Sequence, residues 1–200
     1  VLPPDKSLFA MLPKAEAARL ARVAAVLGAD RAALDRLEPW LAEVMLGAAA
    51  YRRAGADADS GVEKALAATA PPGARRRALE TPAEQIGIFD RGPLAEQLAS
   101  LAETVRELDE NPDAYRELIA AWLAGDVDGL DQQALEPMRK ATPGLFRRLV
   151  TERNARWARE LDARLKGRGR TVVVVGVGHL VGEGGLPERL RALGYSVSGP

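Results

Sequence analysis

Four consecutive valines, Val172 to Val175, follow Thr171 and run into the glycine turn Gly176-Val-Gly178, which carries the only histidine of the chain, His179. A short run of β-branched residues bounded by glycine predicts a strand covered on both faces, the mark of a parallel sheet flanked by helices. Catalytic and ligand-binding groups gather just past the carboxyl ends of such strands. Leu186 to Leu193 then reads as a short helix and Tyr195-Ser-Val197 as a final strand. A right-handed parallel unit is expected over residues 170–200.

The rest of the chain reads differently. From about Pro13 to Lys166 apolar residues recur at helical spacing, with clear punctuation. Leu20, Val23, Ala24 and Leu27 share one face, and Gly28 is placed to end that helix. Asp30 caps a second helix through Leu34 and Leu37, which Pro39 interrupts. Trp40, Leu41, Val44 and Met45 form the apolar face of a third, ending near Gly55. Val62 to Ala68 is a short amphipathic piece before the turn Pro71-Pro72-Gly73, and Arg76 to Leu79 reads as a short strand. Thr81-Pro-Ala-Glu84 has the residues of a capping box. Asn111-Pro112 opens another helix with Tyr115, Leu118, Ile119 and Trp122 on one face, stopping at Gly125. The longest runs from Gly144 to Leu165, with Phe146, Leu149, Val150, Trp157, Leu161 and Leu165 inside. The expected fold is α/β and mainly helical: one domain over residues 1–200, with a large helical part (13–166) inserted before a small C-terminal sheet (170–200).

Composition narrows function mainly by exclusion. Basic and acidic residues balance at 28 each, so no net charge points to a nucleic acid. There is no cysteine, which removes disulfides, thiolate nucleophiles and cysteine zinc sites. No apolar run approaches the ~18 residues of a membrane span. Apolar residues make up 47% of the chain but aromatics only 4%, which favours closely packed helices over a β-sandwich.

Three features carry candidate chemistry. The Gly176/Gly178 turn departs from the dinucleotide fingerprint, because Val181 stands where the third glycine belongs. His179, at a strand end between glycines, is a candidate metal ligand or acid/base. One histidine builds no metal site alone, and Glu80, Glu183 and Asp90 are the candidate carboxylate partners by motif context. Glu80 also suits the helix N-terminus that follows it. Glu152-Arg153-Asn154 reads as a solvated helix face, or else Arg153 binds a carboxylate or stabilises an oxyanion. No Gly-x-Ser-x-Gly elbow is present.

Taken in order, Pro39-Trp40, Leu79-Glu-Thr81 with Gln85, Ala121-Trp-Leu-Ala-Gly125-Asp, Glu152-Arg-Asn154 with Trp157, and Gly176-Val-Gly-His179 with Leu180-Val-Gly182 resemble the TraB/GumN family, which is related to the Tiki metalloproteases. The resemblance covers essentially the whole chain. It implies a mixed α/β fold with inserted helices and, for the Tiki branch, a metal-dependent peptidase using two Gly-x-x-His motifs and a glutamate. By that resemblance His179 is the second histidine and a metal ligand, and Gly176, Gly178 and Gly182 shape its turn. Glu80 and Arg153 are catalytic residues of the same cleft, the metal is a divalent ion such as manganese or cobalt, and the setting is exported or periplasmic. The first Gly-x-x-His and its opening strand have no counterpart in this chain. It is therefore expected to be N-terminally truncated, to carry half of the site, and to be nearly inactive alone on a peptide or small-molecule substrate. The alternative reading is a non-catalytic accessory protein that binds a peptide or small ligand in the same cleft.

Overall fold

The computed structural model describes residues 1–199. In chain order the α-helices are α1 (Leu8–Met11), α2 (Lys14–Val26), α3 (Arg31–Leu34), α4 (Pro39–Arg53), α5 (Val62–Ala68), α6 (Pro82–Asp90) and α7 (Leu94–Glu110). They continue as α8 (Ala114–Ala124), α9 (Val127–Leu130), α10 (Glu136–Ala141), α11 (Pro143–Phe146), α12 (Glu152–Leu165) and α13 (Leu186–Ala192). The chain divides into two compact units. One comprises Val1–Asp57 with Phe89–Ile119, the other Ala58–Ile88 with the chain from Ala120 onward.

There is no strand among the described residues, so the fold is mainly helical and the expected C-terminal sheet is corrected. Thr171 to Val175 forms no ladder, and Val172, at 76% exposure, is more exposed than either Val173 or Val174. Strand preference among valines is a preference for packing against cross-strand neighbours, and here no neighbour strand supplies them. Arg76 to Leu79 is likewise irregular. Tyr195 is not a strand residue either. Its N–H closes the end of α13 on the Leu190 carbonyl at 3.1 Å, and Gly194 at φ +91° makes that reversal possible.

The first unit packs α2, α4 and α7 around Leu20, Val23, Ala24, Leu46, Leu101 and Val105. On α2 the expected face is the buried one, and Ala29 N–H returns to the Ala24 carbonyl beyond Gly28. Asp30 caps α3 through Ala32 N–H, but α3 ends at Leu34, short of Leu37. Pro39 does not interrupt a helix; it opens α4 at its first turn, where a missing N–H costs nothing. The inner face of α4 is Pro39, Ala42 and Leu46, whereas Val44 and Met45 are exposed. Glu43 lies in the α4–α7 seam and accepts hydrogen bonds from Ser100 Oγ (2.9 Å) and Thr104 Oγ1 (3.0 Å); burial pushes its carboxyl above the usual range. Just before α8, Asn111 Oδ1 accepts from Asp113 N–H.

In the second unit the Thr81–Glu84 capping box forms as read. Thr81 N–H bonds Glu84 Oε2 at 2.7 Å and Glu84 N–H bonds Thr81 Oγ1 at 3.2 Å. Toward the end of α8, Ala121 is the buried position and Trp122 faces outward. The segment 143–165 is helical throughout but interrupted. A π-type turn over Arg147–Thr151 bonds Glu152 N–H to the Arg147 carbonyl, five residues back. Beyond it Trp157 and Ala158 pack on Leu186 of α13, with Leu79, Leu161 and Val175 around them, while Leu165 is exposed. No helix among the described residues is long and apolar enough to cross a membrane.

The α4 register can be checked by urea unfolding. Leu46→Ala, at a fully buried position, is expected to cost about 2–5 kcal/mol. Val44→Ala and Met45→Ala should each stay within roughly 0.5 kcal/mol of the parent. The reverse ranking would contradict this packing.

Candidate functional site

The first turns of α12 carry Arg153, Asn154 and Trp157. At 3.6 residues per turn these positions span only about 100° of the helix circumference, so they share one face. That face is buried: Arg153 is 6% exposed, Asn154 fully enclosed and Trp157 3% exposed. The solvated face expected for Glu152-Arg-Asn154 is thus corrected for Arg153 and Asn154, and only Glu152 is exposed.

Glu80, on the loop just before the α6 capping box, meets this face. Arg153 engages its carboxylate with both ends of the guanidinium, Nε to Oε2 at 3.0 Å and Nη2 to Oε1. Arg156 adds Nη2 to Oε2 at 3.1 Å. The remaining Arg153 nitrogen, Nη1, donates to the Leu149 carbonyl at 2.9 Å, within the π-type turn, and lies 3.1 Å from His179 Nε2.

His179 ends a tight turn in which its own N–H bonds the Gly176 carbonyl at 2.9 Å and Leu180 N–H bonds that of Val177 at 2.8 Å. Its ring sits 4.6 Å from that of Trp157, which also stacks against the Arg153 guanidinium at 4.5 Å. On the other side, His179 Nδ1 is 2.7 Å from Asn154 Oδ1, and Asn154 Nδ2 donates to the Gly184 carbonyl at 3.0 Å. Burial, and then the Arg153 charge, hold the imidazole down to about 4, with Glu80 pulling weakly the other way. His179 is neutral at physiological pH.

The turn glycines differ in what they permit. Gly176 has an ordinary φ of −59°, and a Cβ there would meet His179 Cδ2 only at 4.0 Å. At Gly178 a Cβ would come within 3.0 Å of Leu135 Cδ2. Gly182 combines φ +72° with a Cβ position 2.2 Å from Asp131 Oδ1, so a side chain there would be strained and would have to displace the Asp131 carboxylate. Asp131 is held there by Arg139 at 2.7 Å.

Of the residues singled out from sequence, Glu80, Arg153 and His179 come together. Glu183 is exposed and lines a shallow open cleft of about 330 Å³ with Val127, Leu180, Val181, Pro187 and Arg191. Asp90 belongs to the other compact unit. Sequence reading missed Asn154 and Arg156 as members of the network. An asparagine on the apolar stripe of Val150 and Trp157 was the available signal, because a buried amide requires partners.

A divalent ion at His179 would need the Nε2 lone pair, which already faces an Arg153 N–H. One carboxylate among two guanidiniums also leaves the surroundings positive, and no group of three or more metal-binding side chains converges among the described residues. As arranged, these residues do not fit a divalent metal.

The family model described as TraB/PrgY/gumN matches residues 1–199. The chain belongs to the TraB/PrgY/gumN family. No curated protein and no solved structure matches it. Within this family member, the residues that carried the resemblance at Glu80, Arg153, Asn154, Trp157 and His179 all lie in the one buried cluster.

The neutral, buried imidazole has a measurable consequence. Its folded value, about 4, lies below its ordinary 6.5, so the unfolded chain takes up the proton first as pH falls. Stability is expected to drop between pH 6.5 and 4, by up to about 3 kcal/mol from this group. In His179→Gln, urea midpoints across that window should lose this component; an unchanged pH profile would contradict the buried neutral state.

Proposed function

We propose that this family member is a peptidase-like hydrolase, with the Glu80–Arg153–His179 cluster as its chemical centre. The observation that carries the reading is the convergence of these three residues on one buried network. A buried ion pair is a poor way to stabilise a fold, since apolar residues of similar volume usually do as well or better. A neutral histidine beside such a pair is the kind of perturbed group that accumulates at functional sites. In this reading Glu80 is the acid/base carboxylate, and Arg153 fixes its orientation and stabilises negative charge developing on the substrate. His179 contributes a neutral imidazole against Arg153. The shallow cleft along Leu180 to Glu183 gives a peptide or small substrate a place to lie beside the turn.

A metal requirement, with manganese or cobalt, rests on the resemblance of the sequence alone, and no step is assigned to it. The second reading, a non-catalytic peptide- or ligand-binding accessory protein, draws on a different observation. The polar atoms of Arg153 and His179 are already bonded within the protein.

The two readings separate in one assay. The protein as encoded is incubated with a panel of unstructured peptides, with manganese, cobalt or chelator, and new termini are read by mass spectrometry. The hydrolase reading expects products whose rate of formation falls by roughly 10²–10⁴-fold in Glu80→Gln and His179→Ala, under conditions where circular dichroism shows both folded. Equal turnover in both variants, or saturable binding without any product, would sink it; the second outcome is that expected of the accessory protein.

A further inference from the structure

We infer that Asn154 is a positioning residue that fixes His179 as the neutral tautomer with its proton on Nδ1, so that the only lone pair of the ring, on Nε2, faces Arg153. A backbone carbonyl only accepts, so the Asn154 amide must turn its nitrogen to Gly184 O, at 3.0 Å. Its oxygen then faces His179 Nδ1 at 2.7 Å, and an oxygen only accepts; Nδ1 must hold the proton. The other side of the ring gives the same answer independently. A guanidinium has donors and no acceptor, so Nε2, at 3.1 Å from Arg153 Nη1, must hold the lone pair.

The amide cannot turn over to relax this assignment. The Gly184 carbonyl is itself held by Arg189 Nε at 2.8 Å, and Gly184 N–H by Glu188 Oε2 at 2.5 Å, both from α13. Asn154 is fully enclosed, so no solvent competes for either end. The chain Glu188/Arg189–Gly184–Asn154–His179 therefore runs from the first turn of α13 to the imidazole. Its chemical result is specific. Any group that engages His179 does so at Nε2, as a proton or hydrogen-bond donor that takes the place of Arg153 Nη1, and the ring serves as a base rather than an acid. The tautomer adds to the hydrolase reading the role of one ring nitrogen, and its test reads that tautomer whether or not hydrolysis is found.

Because the chain has a single histidine, selective ¹⁵N labelling of histidine reports one ring without ambiguity. At neutral pH the parent protein is expected to show one proton-bearing ring nitrogen, assigned to Nδ1 by its long-range couplings, with a slowly exchanging proton. Asn154→Asp keeps an acceptor oxygen and is expected to leave that proton on Nδ1. Asn154→Ala removes the acceptor and should speed exchange of the proton by about tenfold or more, as loss of one hydrogen bond of ~1–1.5 kcal/mol implies. A neutral ring with its proton on Nε2 alone, in the parent or in Asn154→Asp, would overturn the inference. So would a folded Asn154→Ala with undiminished protection at Nδ1. If Asn154→Ala does not fold, the parent and Asn154→Asp spectra decide between the tautomers.

Discussion

The Arg153–Glu80 ion pair ties α12 to a loop 73 residues earlier in the chain, and both side chains are nearly withdrawn from water. Removing two charges from solvent is repaid only where geometry is good and the remaining polar atoms are satisfied. Here the fork of the guanidinium meets both carboxylate oxygens, and its third nitrogen reaches Leu149 and His179. The ion pair thus sets where the loop before α6 can lie and how close the histidine turn can come. Trp157 supplies a flat apolar surface against which both the guanidinium and the imidazole rest.

The backbone of α11–α12 is adapted to this task. A continuous α-helix from Pro143 would place successive residues at a constant interval of about 100°. The π-type turn at Arg147–Thr151 inserts one residue's worth of rotation ahead of Arg153, and such turns are common beside functional side chains. It also leaves the Leu149 carbonyl directed at Arg153 Nη1. A second π-type turn, at Asp131–Leu135, positions Asp131 against Gly182 and Leu135 against Gly178. The histidine turn is thus framed on one side by α12 and on the other by this second bulge.

Much of the helical punctuation was readable from residues. Gly28, the Asp30 cap and the Thr81–Glu84 box follow from capping chemistry, which is local and therefore written in neighbouring residues. The long α7 carries an equally regular stripe, Leu98, Leu101, Val105 and Leu108, which packs in and against the core of the first unit. What misled was burial that depends on distant partners. The valines of 172–175 carry a strand preference, but a strand exists only with a neighbour, and none is present among the described residues. Val44 and Met45 fit a helical stripe as well as Ala42 and Leu46 do, and only the approach of α7 decides between them. At the site, Glu80, Arg153 and His179 were each legible as isolated candidates. Their meeting, and the part of Asn154, depend on contacts across 25 to 73 residues that spacing does not encode.

If Glu80 and Arg153 act as one coupled unit, a double-mutant cycle measures that coupling directly. Glu80→Leu is expected to cost about 3–5 kcal/mol, because it strands the buried Arg153 charge, and Arg153→Met somewhat less, because Arg156 still reaches Glu80. The double variant strands none, so it should cost less than the sum of the singles by an amount well above the ~0.5 kcal/mol scatter of independent sites. Costs that add to within that scatter would mean that the two side chains do not depend on each other, and the ion pair could not be the centre on which the site is built.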